Sequence, residues 1–169
     1  VHSESEKHTL LIIEDNVELV SFLKVKLSNE YLVYFSDGSD AIDKAMEIIP
    51  DVIICDINLV DKNGYEISKE LKKDLRTSHI PIIVLTAQSN KESVLKGLQS
   101  GVDQYLTKPF SISVLRESIS SLLFNREKLR YYYTNNIYRI EHESKFGNQE
   151  QSFITKMNDI INLNVENPK

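Results

Sequence analysis

Four short apolar runs, each closed by polar residues, constrain this 169-residue chain more than any other feature. Leu10–Ile13 stops at Glu14 and Asp15, Val52–Cys55 at Asp56, Ile82–Leu85 at Thr86, and the weaker Val102–Leu106 at Thr107, Lys108 and Pro109. Apolar runs of this length, separated by stretches of helical spacing, read as parallel strands buried on both faces of a sheet. Ligand crevices in such sheets lie outside the carboxyl ends of the strands. The stops therefore bring three acids, a hydroxyl and an amine to one edge of one sheet.

Between the runs the spacing is helical. Val17–Ser28 has apolar residues at 19, 20, 22, 23 and 27, with Asn16 as its cap. Leu32–Phe35 is a second strand, and Ala41–Ile49 a helix stopped by Pro50. The third strand runs from Asp51 to Cys55, and Tyr65–Leu75 is a helix entered through a loop in which Gly64 is free to take positive φ. Pro81 opens the fourth strand, Asn90–Ser100 is a helix ended by Gly101, and Asp103–Leu106 is the fifth strand. Ser111–Phe124 is the last helix, capped by Ser111. Strands and helices that alternate in this way predict an α/β fold, an open doubly wound five-stranded sheet with right-handed crossovers.

Composition narrows the function. With 41% apolar and 27% charged residues the chain is an ordinary globular one. A net charge of −5 argues against a phosphate-tracking surface, so this fragment is not expected to bind nucleic acid itself. Cys55 is the only cysteine, which excludes an intrachain disulfide and points to a reducing, cytoplasmic setting. Its expected role is a small filler of a buried strand. No stretch approaches the roughly 18 apolar residues of a membrane span, and no signal peptide is visible, so no membrane contact is expected from this segment.

The acids dictate the chemistry. Two carboxylates about 4 Å apart repel by roughly 4 kcal/mol at an effective dielectric of 20, so Glu14, Asp15 and Asp56 cluster only if neutralised. Lys108 supplies one positive charge, and a hard divalent cation, Mg²⁺ or Mn²⁺, is the natural remainder. An acid, a cation, a lysine and a hydroxyl around one crevice suit phosphoryl transfer. Asp56 is the best nucleophile, because it closes the central apolar strand alone.

The set Glu14-Asp15, Asp56, Thr86-Ala87 and Lys108-Pro109 resembles the receiver domain of bacterial two-component response regulators. So do the phrases from Leu11 to Asn16, Pro50 to Asp56, Pro81 to Ala87 and Gly101 to Phe110, and the match covers Thr9 to Phe124. The resemblance implies a flavodoxin-like sheet of strand order 2-1-3-4-5. It implies that Asp56 accepts phosphate from a phosphohistidine of a histidine kinase, and that the domain catalyses its own phosphorylation and dephosphorylation. Asp15, Asp56 and the backbone carbonyl of Asn58 would hold the cation, with Glu14 acting through water. Lys108, followed by a cis bond to Pro109, and Thr86 with the amide of Ala87 would contact the phosphoryl group. Tyr105 would swing inward in response. That movement would alter the face made by helix Asn90–Ser100, strand Asp103–Leu106 and the last helix, a possible homodimer surface. Leu59 and Val60 depart from the family's frequent Met-Pro, while Gly64 keeps the loop length. Asn58 and Gln88 stand where the family tunes the lifetime of the phosphoryl group.

Residues 1–8 read as a linker, 9–124 as the receiver, and 125–151 as a polar, tyrosine-rich linker whose first part can continue the last helix. Residues 152–169 regain helical spacing and resemble the lead-in helix of an AraC-type DNA-binding domain. The chain would then be a piece of a hybrid histidine kinase of Bacteroidetes type, whose parent is anchored in the inner membrane. The alternative is a plain amphipathic helix that packs on the receiver or on a second copy of the chain. A degenerate receiver serving as a docking or dimerisation module is the competing function. A haloacid-dehalogenase-type phosphatase lacks its second acid, because Asn58 stands there. A dinucleotide fold lacks its glycine-rich loop.

Overall fold

The structure, a computed structural model, describes residues 7–87 and 99–142. In order, the elements are β1 (Thr9–Ile13), α1 (Val17–Leu27), β2 (Leu32–Ser36), α2 (Ala41–Ile48), β3 (Val52–Asp56), α3 (Gly64–Lys73), β4 (Ile82–Thr86), β5 (Gln104–Thr107) and α4 (Ile112–His142). The strands form one parallel sheet in the order β2-β1-β3-β4-β5, the order implied by the resemblance. Most of the helix expected at Asn90–Ser100 lies outside the described residues, as do Gln88 and residues 152–169. Gly101 takes φ +76, as a helix C-terminal glycine does.

Alternate residues of the central strands fill two cores, which is why the runs are apolar without alternation. Leu10, Ile12, Ile54, Ile83 and Leu85 meet Leu23 and Leu27 of α1 and Leu115 and Ile119 of α4. Leu11, Ile13, Ile53, Cys55 and Val84 meet Ala41 and Ala45 of α2 and Ile67 and Leu71 of α3. Cys55 is wholly buried and, as expected, a filler; burial pushes its thiol pKa up, out of the reactive range.

Three expectations need correction. Helix α2 ends at Ile48, because Ile49, steered out of the helical region by Pro50, turns left-handed at φ +47. Gly64 is not among the glycines of positive φ. It is needed for a close approach: a Cβ there would lie 2.1 Å from the carbonyl oxygen of Asp56. The last helix, expected over Ser111–Phe124 with the first part of the 125–151 linker able to continue it, does continue and runs on to His142, so residues 125–142 are helix and not linker. Neither glycine nor proline interrupts residues 111–142, and a polar stretch without apolar period reports lack of burial, not lack of helix.

By its contacts the chain divides into two units, Val1–Asn125 and Arg126–Lys169, and α4 contributes to both. In the second unit Leu129, Tyr131, Tyr132 and Tyr133 are exposed.

Candidate functional site

The strand ends meet as the runs foretold. Glu14 continues β1 for one more step, its amide donating to the Ser36 carbonyl at 2.9 Å. Its carboxylate turns inward: Oε1 accepts from the Asn16 amide at 3.0 Å, and Oε2 pairs with Lys108 Nζ at 2.9 Å. Asn16 caps α1 through Oδ1, which accepts from the Leu19 amide at 3.0 Å. That cap fixes the sharp exit of the chain at the acids.

Asp56 closes β3, and its Oδ2 lies 2.9 Å from the same Lys108 Nζ. Lys108 is carried there by β5, whose exit is held by a 2.7 Å hydrogen bond from the Lys108 amide to the Thr86 carbonyl. The Lys108–Pro109 bond is cis, as the resemblance implies. The ammonium thus bridges two shielded carboxylates, with side-chain exposures of 1% for Glu14 and 7% for Asp56. Burial raises the Glu14 pKa, against the opposing hydrogen bond from Lys108. For Lys108 burial works against the charge, but hydrogen bonds to Asp56 and Glu14 outweigh it and raise its pKa.

Asp15 is half-buried, and its Oδ2 accepts a 2.8 Å hydrogen bond from the amide of Val60. Glu14, Asp15 and Asp56 each offer an oxygen within 4.8 Å of the others. Carboxylates at that spacing repel by about 3 kcal/mol per pair at an effective dielectric of 20. Three carboxylates against one ammonium leave two negative charges. The other oxygen of Asp56, Oδ1, is buried with no hydrogen-bond partner among the described residues. An orphaned anionic oxygen beside two more carboxylates fits a hard divalent cation.

The remaining expected residues flank this centre. Asp56 pairs in register with Leu85, so buried Thr86 stands one position further along β4. Tyr105 pairs with Val84, two residues before Thr86 and on the same face of the sheet. Its ring is half-buried, and its hydroxyl is buried with no hydrogen-bond partner among the described residues. Ala87 is exposed at the strand end, and Asn58 is exposed in the β3–α3 loop, where it bridges Asn63. The structure therefore unites Glu14, Asp15, Asp56 and Lys108 by direct contact or close spacing, and places Thr86 and Tyr105 by register. Sequence reading missed the Val60 amide: a backbone donor carries no side-chain signal, and it lies 45 residues from its acceptor.

The family model described as the response regulator receiver domain matches residues 10–120. Histidine kinase P4 of Formosa agariphila is 32% identical over 166 residues, which is 98% of this chain and 12% of that protein. Response regulator ArlR of Staphylococcus aureus is 39% identical over 116 residues, 68% of this chain and 52% of that protein. The chain thus spans from an eighth to a half of these relatives. Among solved structures, the receiver domain of a sensor histidine kinase from Pseudomonas aeruginosa, with a magnesium ion coordinated in its active site cleft, superposes with a TM-score of 0.64 at 28% identity, over 69% of this chain and 98% of that one.

Proposed function

This chain belongs to the response regulator receiver family of two-component systems, and on that premise we propose that Asp56 is the residue that accepts the phosphoryl group, from a phosphohistidine of a histidine kinase. One observation carries the assignment. Among the described residues Asp56 alone combines the end of the central strand, a lysine contact on one oxygen and a buried second oxygen without a partner. In the transfer an Asp56 oxygen attacks phosphorus in line, the P–N bond to the donor imidazole breaks, and a P–O bond forms. Lys108, already 2.9 Å from Asp56, turns to the phosphoryl oxygens and offsets their charge.

Asp15, Asp56 and the carbonyl of Asn58 would hold Mg²⁺, or Mn²⁺ in its place, with Glu14 acting through water. The cation, when bound, neutralises charge on the transferring group. Thr86 and the amide of Ala87 close on the acyl phosphate, and Tyr105 follows. A buried hydroxyl without a partner costs about 1–3 kcal/mol, so this tyrosine has something to gain from another position.

The alignment with histidine kinase P4 runs through nearly the whole chain, tail included, which supports a parent of hybrid-kinase type. We assign the AraC-type output, a homodimer through the face of the expected helix Asn90–Ser100, β5 and α4 or through the C-terminal helix, and a cytoplasmic setting to the same reading. The free, buried thiol of Cys55 fits a reducing compartment.

The test is intact mass after incubation with Mg²⁺ and acetyl phosphate. Wild type should gain one phosphoryl group and Asp56→Ala none. No gain on wild type, or equal labelling of the variant, would remove the assignment and leave a docking module.

A further inference from the structure

The frequent Met-Pro of this family is Leu59-Val60 here, and the difference reaches the site through the backbone. A proline has no N–H. The Val60 amide donates to Asp15 Oδ2 at 2.8 Å, a hydrogen bond that proline could not make. We infer that the backbone amide of Val60 is a positioning group that orients Asp15 for the divalent cation, a role of the β3–α3 loop separate from that of the Asn58 carbonyl. The inference rests on the cation ligands proposed above.

The loop is built to present that amide. At its base Asn58 and Asn63 form an antiparallel bridge, and the Gly64 amide donates to the Ile57 carbonyl at 2.9 Å. Asn63 also caps α3, its Oδ1 accepting from the Tyr65 amide at 2.8 Å. On one flank Leu59 packs over Gly38, where a Cβ would come within 3.0 Å of Leu59 Cδ1. With its base and its flank held, the one residue between Leu59 and Asp61 is set over the acids. Its side chain plays no part, being 86% exposed.

A carboxylate with one oxygen held by a fixed donor loses less rotational freedom when a cation takes it. Partners of this kind behind metal ligands typically contribute about 10–100-fold in affinity.

Two measurements test this. The first is Mg²⁺ affinity by titration calorimetry, with no phosphodonor present. Val60→Pro, which deletes the N–H, should weaken binding about tenfold. Val60→Ala, which keeps the N–H, should bind as wild type does. Equal affinity of Val60→Pro and wild type, or an equal loss in Val60→Ala, would overturn the role. The second needs no cation and covers a Val60→Pro chain that does not fold. In ¹⁵N-labelled wild type the Val60 amide should exchange with solvent at least tenfold more slowly than a free amide, and Asp15→Ala should abolish that protection while leaving the Gly64 amide protected. An unprotected Val60 amide, or protection that survives Asp15→Ala, would overturn the inference. A wild-type protein that bound no Mg²⁺ would instead remove the cation reading on which it rests.

Discussion

Alanine at position 64 pits helix propensity against backbone contact, and the two predict opposite signs. Gly64 opens α3, where alanine is ordinarily favoured by about 1 kcal/mol. The added Cβ, however, would stand 2.1 Å from the Asp56 oxygen and 2.9 Å from both the Asp56 carbonyl carbon and Ile57 Cα. Close C···O contacts rarely fall below about 3.3 Å, so something must move by about 1 Å. All three neighbours are backbone, and no rotamer change relieves them. A shift of that size breaks the 2.9 Å hydrogen bond from the Gly64 amide to the Ile57 carbonyl. Overpacking of this kind costs about 1–3 kcal/mol and the lost hydrogen bond about 1, against the gain of about 1. The net is a destabilisation of about 2 kcal/mol. Urea denaturation measures it as a lower midpoint with unchanged slope.

The same shift moves the main chain of Asp56, so labelling by acetyl phosphate should slow in Gly64→Ala. Gly101→Ala is the contrast. The nearest atom is Cγ of the flexible Lys72 side chain, at 3.1 Å, and the chief cost is φ +76, roughly 1–2 kcal/mol, away from the acids. It should lose stability with no change in labelling. A Gly64→Ala protein that is as stable as wild type, or more stable, would refute the close-approach reasoning and leave propensity as the governing effect.

Three further outcomes are expected. Lys108→Met leaves Glu14 and Asp56 without their shared ammonium. Breaking a buried pair costs about 3–5 kcal/mol, and with the lysine partly exposed about 2–3 is expected. Thermal melts should show Mg²⁺ recovering more stability in this variant than in wild type, and equal recovery would count against a shared charge centre. Asp74 is held near a pKa of about 2, chiefly by the hydrogen bond from the Arg76 side chain. A lowered carboxylate pKa contributes stability above its unfolded value of 3.8 that is lost as pH falls toward 2. Asp74→Asn should therefore be less stable than wild type at pH 5, and the difference should shrink from pH 4 downward and vanish only below pH 2 in acid denaturation curves. Along α4, Leu115→Ala should cost about 2–5 kcal/mol because Leu115 is fully buried. Leu129→Ala, at an exposed position, should stay within about 0.5 kcal/mol by the same urea assay.

Much of the site was legible because its residues sit at fixed offsets from strands. Three of the apolar runs declare buried strands, the weaker fourth becomes the half-buried edge strand β5, and each strand end is then a known place in the fold. Asp56 and Thr86 could be located this way, and so could Glu14 and Asp15. The reason for Gly64 was not legible, since glycine serves both positive φ and close approach, and only the position of the Asp56 carbonyl distinguishes them. The end of α4 was not legible either. Periodicity records which residues are buried, and residues 126–136 are a mostly exposed helix.

What the sequence determined by itself is the layering. Local hydrophobic pattern sets strand, helix and the edge at which polar groups collect, because burial on both faces of β1, β3 and β4 admits no polar residue within their runs. What only the tertiary structure decided is who meets whom at that edge. Lys108 reaches Glu14 across 94 residues and Asp56 across 52, and the Val60 amide reaches Asp15 across 45. Such contacts depend on strand order and loop path, and a backbone amide looks alike at every residue but proline. Sequence therefore named the acids and the lysine, while the packing of β1, β3 and β5 joined them into one charge centre and set the donor that orients Asp15.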